Sequence, residues 1–136
     1  MLFRSCARAR GIPVTNTPDV VTEDTADIAL GLVLAVERHL VEGDRFVRRG
    51  DWLKGELHFG RALRRRKLGI IGLGRIGSAI ATRAAAFDME IAYQGPRRKP
   101  EVSYRYFAEP VALAEWSEIV AVACPGGEAT RQWPQQ

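Results

Sequence analysis

Residues 67–81 read Lys-Leu-Gly-Ile-Ile-Gly-Leu-Gly-Arg-Ile-Gly-Ser-Ala-Ile-Ala: a short apolar run, then glycines 72, 74 and 77 at G-x-G-x-x-G spacing, then a helical pattern. Each glycine has a separate use in a dinucleotide-binding turn. Gly72 permits the tight turn out of a strand, Gly74 lets the backbone approach a pyrophosphate, and Gly77 lets the following helix lie close against the sheet. The helix would then open at Arg75-Ile76, presenting unpaired amides and the positive end of its dipole to phosphate. A bare G-x-G-x-x-G is a weak signal, and a glycine-rich packing turn is the plainer reading. Here an apolar strand precedes it, an Ile80/Ala81/Ala84/Ala85 face follows it, and a second apolar run at residues 90–93 arrives on schedule, so the context is that of a βαβ unit.

The remainder of the chain extends that unit. Strand and helix patterns alternate at 68–71, 75–87, 90–93, 104–107, 111–116 and 119–124. That order implies a parallel sheet and an α/β fold. Upstream, Pro13 and Pro18 each push the preceding residue out of helical conformation, so residues 11–18 read as an extended linker. Thr22 is a candidate N-cap, with Glu23 and Asp24 in the first turn where carboxylates meet the helix dipole. A long helix is expected from there to about residue 49, stopped by Gly50. Its residues 26–36 are apolar on nearly every side and imply burial all round, whereas residues 37–49 are amphipathic. Residues 51–63 show no clear period and hold Trp52 and Phe59 in a loop, which suggests a partner surface.

Bulk properties set the limits. With 136 residues, 46% of them hydrophobic, the chain has material for one modest core. Its longest oily stretch, residues 28–36, is nine residues and is interrupted by Gly31; a membrane span needs about twenty. Cys6 and Cys124 do not make a disulfide framework or a metal site, so free thiols in a reducing cytoplasm are expected and no metal is. The first ten residues are Arg-rich and lack acids, a faint imitation of a transit peptide, but they have no secretory apolar core. The net charge of +4 is concentrated in five basic residues within 61–67 and in Arg97-Arg98-Lys99. No aromatic residues alternate with the first cluster and no nucleic-acid module surrounds it, so a solvated turn before a buried strand is the expectation and nucleic acid is not an expected partner.

The second cluster bears on the cofactor. An NAD-binding unit places an Asp or Glu about twenty residues after the glycines to hold the ribose 2′-hydroxyl. This chain has Tyr93-Gln94-Gly95-Pro96-Arg97-Arg98-Lys99 there, with three cations and no carboxylate. Asp88 and Glu90 fall at the wrong end of the strand. The cations suit a 2′-phosphate and hence NADP, with NAD possible; a solvated basic loop is the plainer alternative.

These features, together with Val14-Thr15-Asn16-Thr17-Pro18, the acidic helix start at residues 22–27, Gly50-Asp51-Trp52 and the segment from Ala123 to Arg131, resemble the D-isomer-specific 2-hydroxyacid dehydrogenases, and within them the glyoxylate/hydroxypyruvate reductase-like branch. The resemblance covers residues 7–131. It implies a partial Rossmann-type doubly wound parallel sheet preceded by a long helix. Residues 1–21 would be a remnant of a substrate domain with its hinge, and residues 22–136 an incomplete NAD(P)-binding domain. It also implies reduction of a small 2-keto acid such as glyoxylate or hydroxypyruvate, and a homodimer through residues 37–63. Residues matching the family's cofactor contacts are Gly72, Gly74, Arg75, Ile76 and Gly77 at the pyrophosphate, Arg97 and Arg98 near the adenine ribose, and Cys124, Pro125 and Thr130 along the cleft. Cys124 has no base beside it in the sequence pattern and is expected to line the cleft rather than act as a nucleophile. The family's substrate-binding Arg and its His paired with a carboxylate have no counterparts in this sequence; Arg131, His39 and His58 do not match them. A chain without proton transfer is expected to be inactive by itself, and a non-catalytic nucleotide-binding or dimerisation module is the alternative reading. The apolar strand at 119–124, if its outer edge is bare, is expected to favour aggregation and poor folding alone.

Overall fold

Lys67–Ile71 forms β1, and four of its five residues are buried, as an apolar run without alternation requires of a strand covered on both faces. It pairs in parallel with β2 (Glu90–Gln94) on one side and with β4 (Ile119–Val122) on the other, while β3 (Arg105–Phe107) continues the sheet beyond β2. The strand order is β3-β2-β1-β4. The expected parallel α/β sheet is therefore present, with β4 beside β1 as a doubly wound order requires. This structure, a computed structural model, describes residues 2–15, 17 and 19–126.

Helices cover the two faces unequally. On one face lie α2 (Thr22–Glu37) and α4 (Arg75–Ala86), whose Ala26, Leu30, Ile80, Ala81 and Ala84 form a core with Leu68, Ile70 and Tyr93 of the sheet. On the other face α5 (Pro110–Trp116) sets Leu113 against Ile71 and Ala92. The period-2 alternation of a strand explains the split: Leu68 and Ile70 face α4, Gly69 and Ile71 face α5. Gly69 is a glycine because a Cβ there would come within 2.1 Å of Ser117 Oγ. Arg83 ties α4 to α2 by donating to Glu23 at 2.7 Å and to Asp27. Those two carboxylates, Glu23 foremost, hold its guanidinium above the ordinary arginine range.

The single long helix expected over residues 22–49 is broken. α2 ends at Glu37, His39 takes a left-handed φ of 53°, and α3 (Leu40–Arg48) begins afterwards. A distant segment causes the break. In a continuous helix the Glu37 carbonyl would accept the amide of Val41; here the Arg61 amide donates to it at 2.7 Å. Gly60 crosses the helix end so closely that a Cβ would stand 1.9 Å from the same oxygen.

Three further expectations are corrected. Val21, not Thr22, occupies the N-cap position and no side chain caps the helix; Thr22 is its first helical residue, and the Thr25 hydroxyl donates back to the Val21 carbonyl. Burial of residues 26–36 is one-sided, because α4 covers only the Ala26/Leu30 side, leaving Ile28, Leu32 and Val36 at 62–70% exposure. The basic turn is not simply solvated. Arg66 keeps only 12% of its side chain exposed, with Glu37 Oε2 at 3.6 Å and Glu118 Oε1 at 3.1 Å, while Arg61 also approaches Glu37 and Arg64 approaches Asp88. The Arg66 Nε to Glu118 contact is an ion pair by distance, without hydrogen-bond alignment. Glu118 in turn accepts the Lys67 amide, so this cluster joins the end of α2 to the starts of β1 and β4.

A helix not read from the sequence, α1 (Leu2–Ala9), precedes the linker, and a 3-10 turn at Asp51–Leu53 opens the aromatic loop. The Asp51 carboxyl lies below its ordinary range because Arg49, and then Lys54, hydrogen-bonds it. Among the described residues, no helix is long and apolar enough to cross a membrane, and the edge of β4 away from β1 has no strand beside it. Replacing Gly60 by alanine is expected to cost about 1–3 kcal/mol, since backbone on both sides must give way. Gly55→Ala, with nothing within 4 Å of its added methyl, should stay within about 0.5 kcal/mol of the parent. Urea denaturation of the two variants checks the difference, and equal stabilities would contradict the proposed cause of the helix break.

Candidate cofactor-binding cleft

In a parallel sheet the loops that leave the strands' carboxyl ends converge on one side, and here they enclose a cleft of about 1090 Å³. Gly72, Gly74, Arg75 and Ile76 form its floor. Arg97 and Lys99, from the loop after β2, form one wall; Cys124 and Pro125, after β4, form another. Thr17 and Asp19 of the linker approach the opening.

The glycine turn works through close backbone contacts. Gly72 has φ +92° and lies so near the chain after β4 that a Cβ would come 2.8 Å from the backbone of Cys124. Its amide donates to the Gln94 carbonyl at 2.9 Å, so the turn is fastened to the end of β2 as well. Gly77 faces the turn itself, where a Cβ would stand 2.2 Å from the Gly72 carbonyl oxygen and 3.2 Å from Ile70 Cγ2. This is the tight helix-to-sheet approach that the sequence spacing implies. Gly74 differs: its backbone is extended and no atom lies within 4 Å of the position a Cβ would occupy. That opening sits in front of the first turn of α4, whose leading amides have no intrahelical acceptor. The open space and the donors together fit a diphosphate.

Charge around the floor is positive. Arg75, beside this opening, pairs with Asp19 at 2.8 Å, both side chains being 64% exposed. The loop from Gly95 to Lys99 carries Arg97 and Lys99 along the cleft, and residues 93–99 include no carboxylate. Asp88 is at the opposite end, where its carbonyl accepts the Arg65 amide, and Glu90 begins the strand. Both are remote from the cleft, as expected.

Seven of the ten residues singled out from the sequence thus line one cleft: Gly72, Gly74, Arg75, Ile76, Arg97, Cys124 and Pro125. Gly77 supports it from beneath. Arg98 is exposed and does not line it, and Thr130 is outside the described residues. Cys124 is a half-buried free thiol just beyond β4. His39 pairs with Glu42 at 2.8 Å and His58 lies exposed in the aromatic loop, so neither borders the cleft. The sequence reading left out Tyr93, Gln94 and Asp19 as lining residues. For the first two a usable signal existed, because the last residues of a parallel strand stand at the ligand end of the sheet; Asp19 reaches Arg75 only through the path of the linker.

The family profile described as D-isomer specific 2-hydroxyacid dehydrogenase, NAD binding domain, matches residues 30–135. Glyoxylate/hydroxypyruvate reductase A of Arabidopsis thaliana is 52% identical over 124 residues, 91% of this chain and 40% of that protein. Glyoxylate reductase of Pyrococcus horikoshii is 48% identical over 128 residues, 88% of this chain and 38% of the relative. Among solved structures, NADPH-dependent glyoxylate/hydroxypyruvate reductase of Sinorhizobium meliloti, in complex with NADP and malonate, superposes with a TM-score of 0.86 at 42% identity, covering 93% of this chain and 40% of that one. The chain spans about two fifths of the length of these relatives. By its glycine turn, its parallel sheet and these likenesses, the chain belongs to the D-isomer specific 2-hydroxyacid dehydrogenase family, through that family's NAD-binding domain.

Proposed function

We propose that this chain is the NADP-binding part of a reductase that converts a small 2-keto acid of the glyoxylate or hydroxypyruvate kind to its 2-hydroxy acid. The observation that carries the cofactor choice is the wall formed by Arg97 and Lys99 at the end of β2, where an NAD enzyme would carry an acid. The names of the relatives support the substrate class. Reduced nicotinamide, when bound, supplies a hydride to the keto carbon. The chain's own residues bind and orient: the amides of Arg75 and Ile76 and the space at Gly74 receive the pyrophosphate, Gly72 and Gly77 hold that turn against the sheet, and Arg75 exchanges Asp19 for phosphate. Arg97 would face the adenine ribose with Arg98 nearby, and Cys124 and Pro125 would border the nucleotide; Thr130 is assigned to the cleft by the family resemblance alone. Residues 1–21 belong on this reading to a flanking substrate domain and its hinge, and residues 22–136 to the NAD(P) domain. The two free cysteines agree with the cytoplasm as its location.

We also propose a homodimer through residues 37–63, with a second copy of the chain as the partner. Trp52, Leu53 and Phe59 are 68–89% exposed, and Leu40, Val41 and Val47 add to the same stretch. Large apolar groups gathered this way favour a partner surface. A second reading of the whole, a nucleotide-binding module without turnover, is favoured by one observation: neither histidine borders the cleft.

Titration of the chain with NADPH and NADH tests the cofactor assignment. NADPH is expected to bind at least tenfold more tightly, and Arg97→Ala to lose about tenfold for NADPH while leaving NADH unchanged, the effect of one charge-assisted contact. Equal affinity for both nucleotides would remove the NADP assignment. Supplying glyoxylate to the NADPH-loaded chain is expected to leave NADPH unoxidised on either reading, because the chain carries no group for proton transfer; oxidation would overturn the module reading. In sedimentation velocity, Trp52→Glu combined with Phe59→Glu is expected to convert a dimer to a monomer; an unchanged sedimentation coefficient would place the interface elsewhere.

A further inference from the structure

The basic loop after β2 has its two ends fastened by tyrosine hydroxyls. Tyr93, in β2, has a ring that is only 1% exposed, and its hydroxyl accepts a hydrogen bond from the Lys99 amide at 2.7 Å. Tyr106, in β3, donates its hydroxyl proton to the Gly95 carbonyl at 3.1 Å. The two tyrosines are register partners across the parallel pair, and their ring centroids lie 5.3 Å apart at 52°. One residue thus fixes where the loop begins and the other where it ends, with Arg97 between them at the cleft. An apolar core has no need of either hydroxyl. Phenylalanine would fill the same space, so the hydroxyls serve the loop rather than the packing.

We infer that Tyr93 and Tyr106 are positioning residues for recognition of a 2′-phosphorylated adenosine, acting through the Gly95 to Lys99 loop and not by contact with the phosphate. This rests on the NADP reading above. A loop of consecutive cations repels itself and, unfastened, would sample many arrangements; binding a phosphate would then require it to be ordered at that moment. Fixing both ends removes much of that cost before the ligand arrives. Tyr93 also lines the cleft, whereas Tyr106 does not, so Tyr106→Phe is the variant that removes a loop tether without touching the cleft.

The test compares 2′,5′-ADP with 5′-AMP, which differ by the 2′-phosphate alone, on the whole chain and on Tyr93→Phe and Tyr106→Phe, with binding measured by calorimetry and folding by thermal denaturation. Each variant is expected to lose three- to tenfold in affinity for 2′,5′-ADP, and Tyr106→Phe, at a residue outside the cleft lining, to keep its affinity for 5′-AMP within about twofold. A parent chain that binds both probes equally removes the 2′-phosphate reading and the inference with it. A parent that prefers 2′,5′-ADP, with both variants keeping the full preference, overturns the inference and leaves the reading intact. Equal losses for both probes, accompanied by lower melting temperatures, overturn it too, because the hydroxyls would then serve only stability. Arg97→Ala serves as the reference for loss of a direct contact with the 2′-phosphate.

Discussion

Three stretches of backbone meet at Gly72, and the geometry of the cleft depends on their being able to do so. The end of β1, the start of α4 and the chain leaving β4 approach one another within distances that leave no room for a side chain: a Cβ on Gly72 would strike Cys124, and one on Gly77 would strike the Gly72 carbonyl. Because Gly77 lies in the first turn of α4, this contact sets both where the helix starts and which way its amides point. Gly74 stands between them and has the opposite property, empty space beyond its Cα. Two glycines close the turn and the third opens it. A side chain at any of the three would act differently, by straining the turn, by filling the phosphate space, or by lifting α4 from the sheet.

From that point the parallel sheet distributes the remaining groups. Strands running the same way deliver their following loops to one end, so the cations after β2 and the Cys124-Pro125 segment after β4 reach the same cleft though they are remote in sequence. At the opposite end of the strands from the cleft lies the ionic cluster of Glu37, Arg66 and Glu118, which holds α2, β1 and β4 together. The positive charge of the chain is therefore divided. One group of arginines is largely neutralised by carboxylates and serves structure; the other lines the cleft without acids of its own, except at Arg75. The Arg75 to Asp19 pair is exposed on both sides and contributes at most about 1 kcal/mol, so it gives way readily to a dinucleotide phosphate.

How much of this was legible in the sequence followed the range of the interactions involved. The strand, glycine turn, helix and second strand of residues 67–94 were read with ends correct to about one residue, because each is specified by neighbours in sequence: apolar runs, glycine spacing and helical periodicity. Five of the ten candidate site residues, Gly72, Gly74, Arg75, Ile76 and Gly77, came with them. The break at His39 was not legible, since the residues on either side are compatible with one continuous helix; it is decided by Gly60 and Arg61, more than twenty residues away, which take the Glu37 carbonyl. Arg66 was read as solvated for the same reason. Its acids, Glu37 and Glu118, are adjacent only after the sheet has formed. Tyr93 and Tyr106 looked like ordinary strand aromatics, and only the register of β2 on β3 places their hydroxyls at the two ends of one loop.

The apolar character of α2 makes a related point about assembly. A helix that is apolar on all sides is expected to be buried on all sides, yet α4 covers only the side bearing Ala26 and Leu30. Ile28, Leu32 and Val36 follow at i, i+4 and i+8, a continuous stripe on a different face that remains exposed. Burying side chains of this kind stabilises by roughly 1.5–3 kcal/mol each, which would offset part of the cost of associating with a partner. The stripe ends where the chain turns at His39 into the segment bearing Leu40, Val41, Val47, Trp52 and Phe59, so the two exposed apolar regions are consecutive along the chain. On the dimer reading, the break in the helix gains a purpose. By redirecting the chain after Glu37, it lets α3 and the aromatic loop leave the line of α2, and a partner subunit can then contact more than the side of a single straight helix.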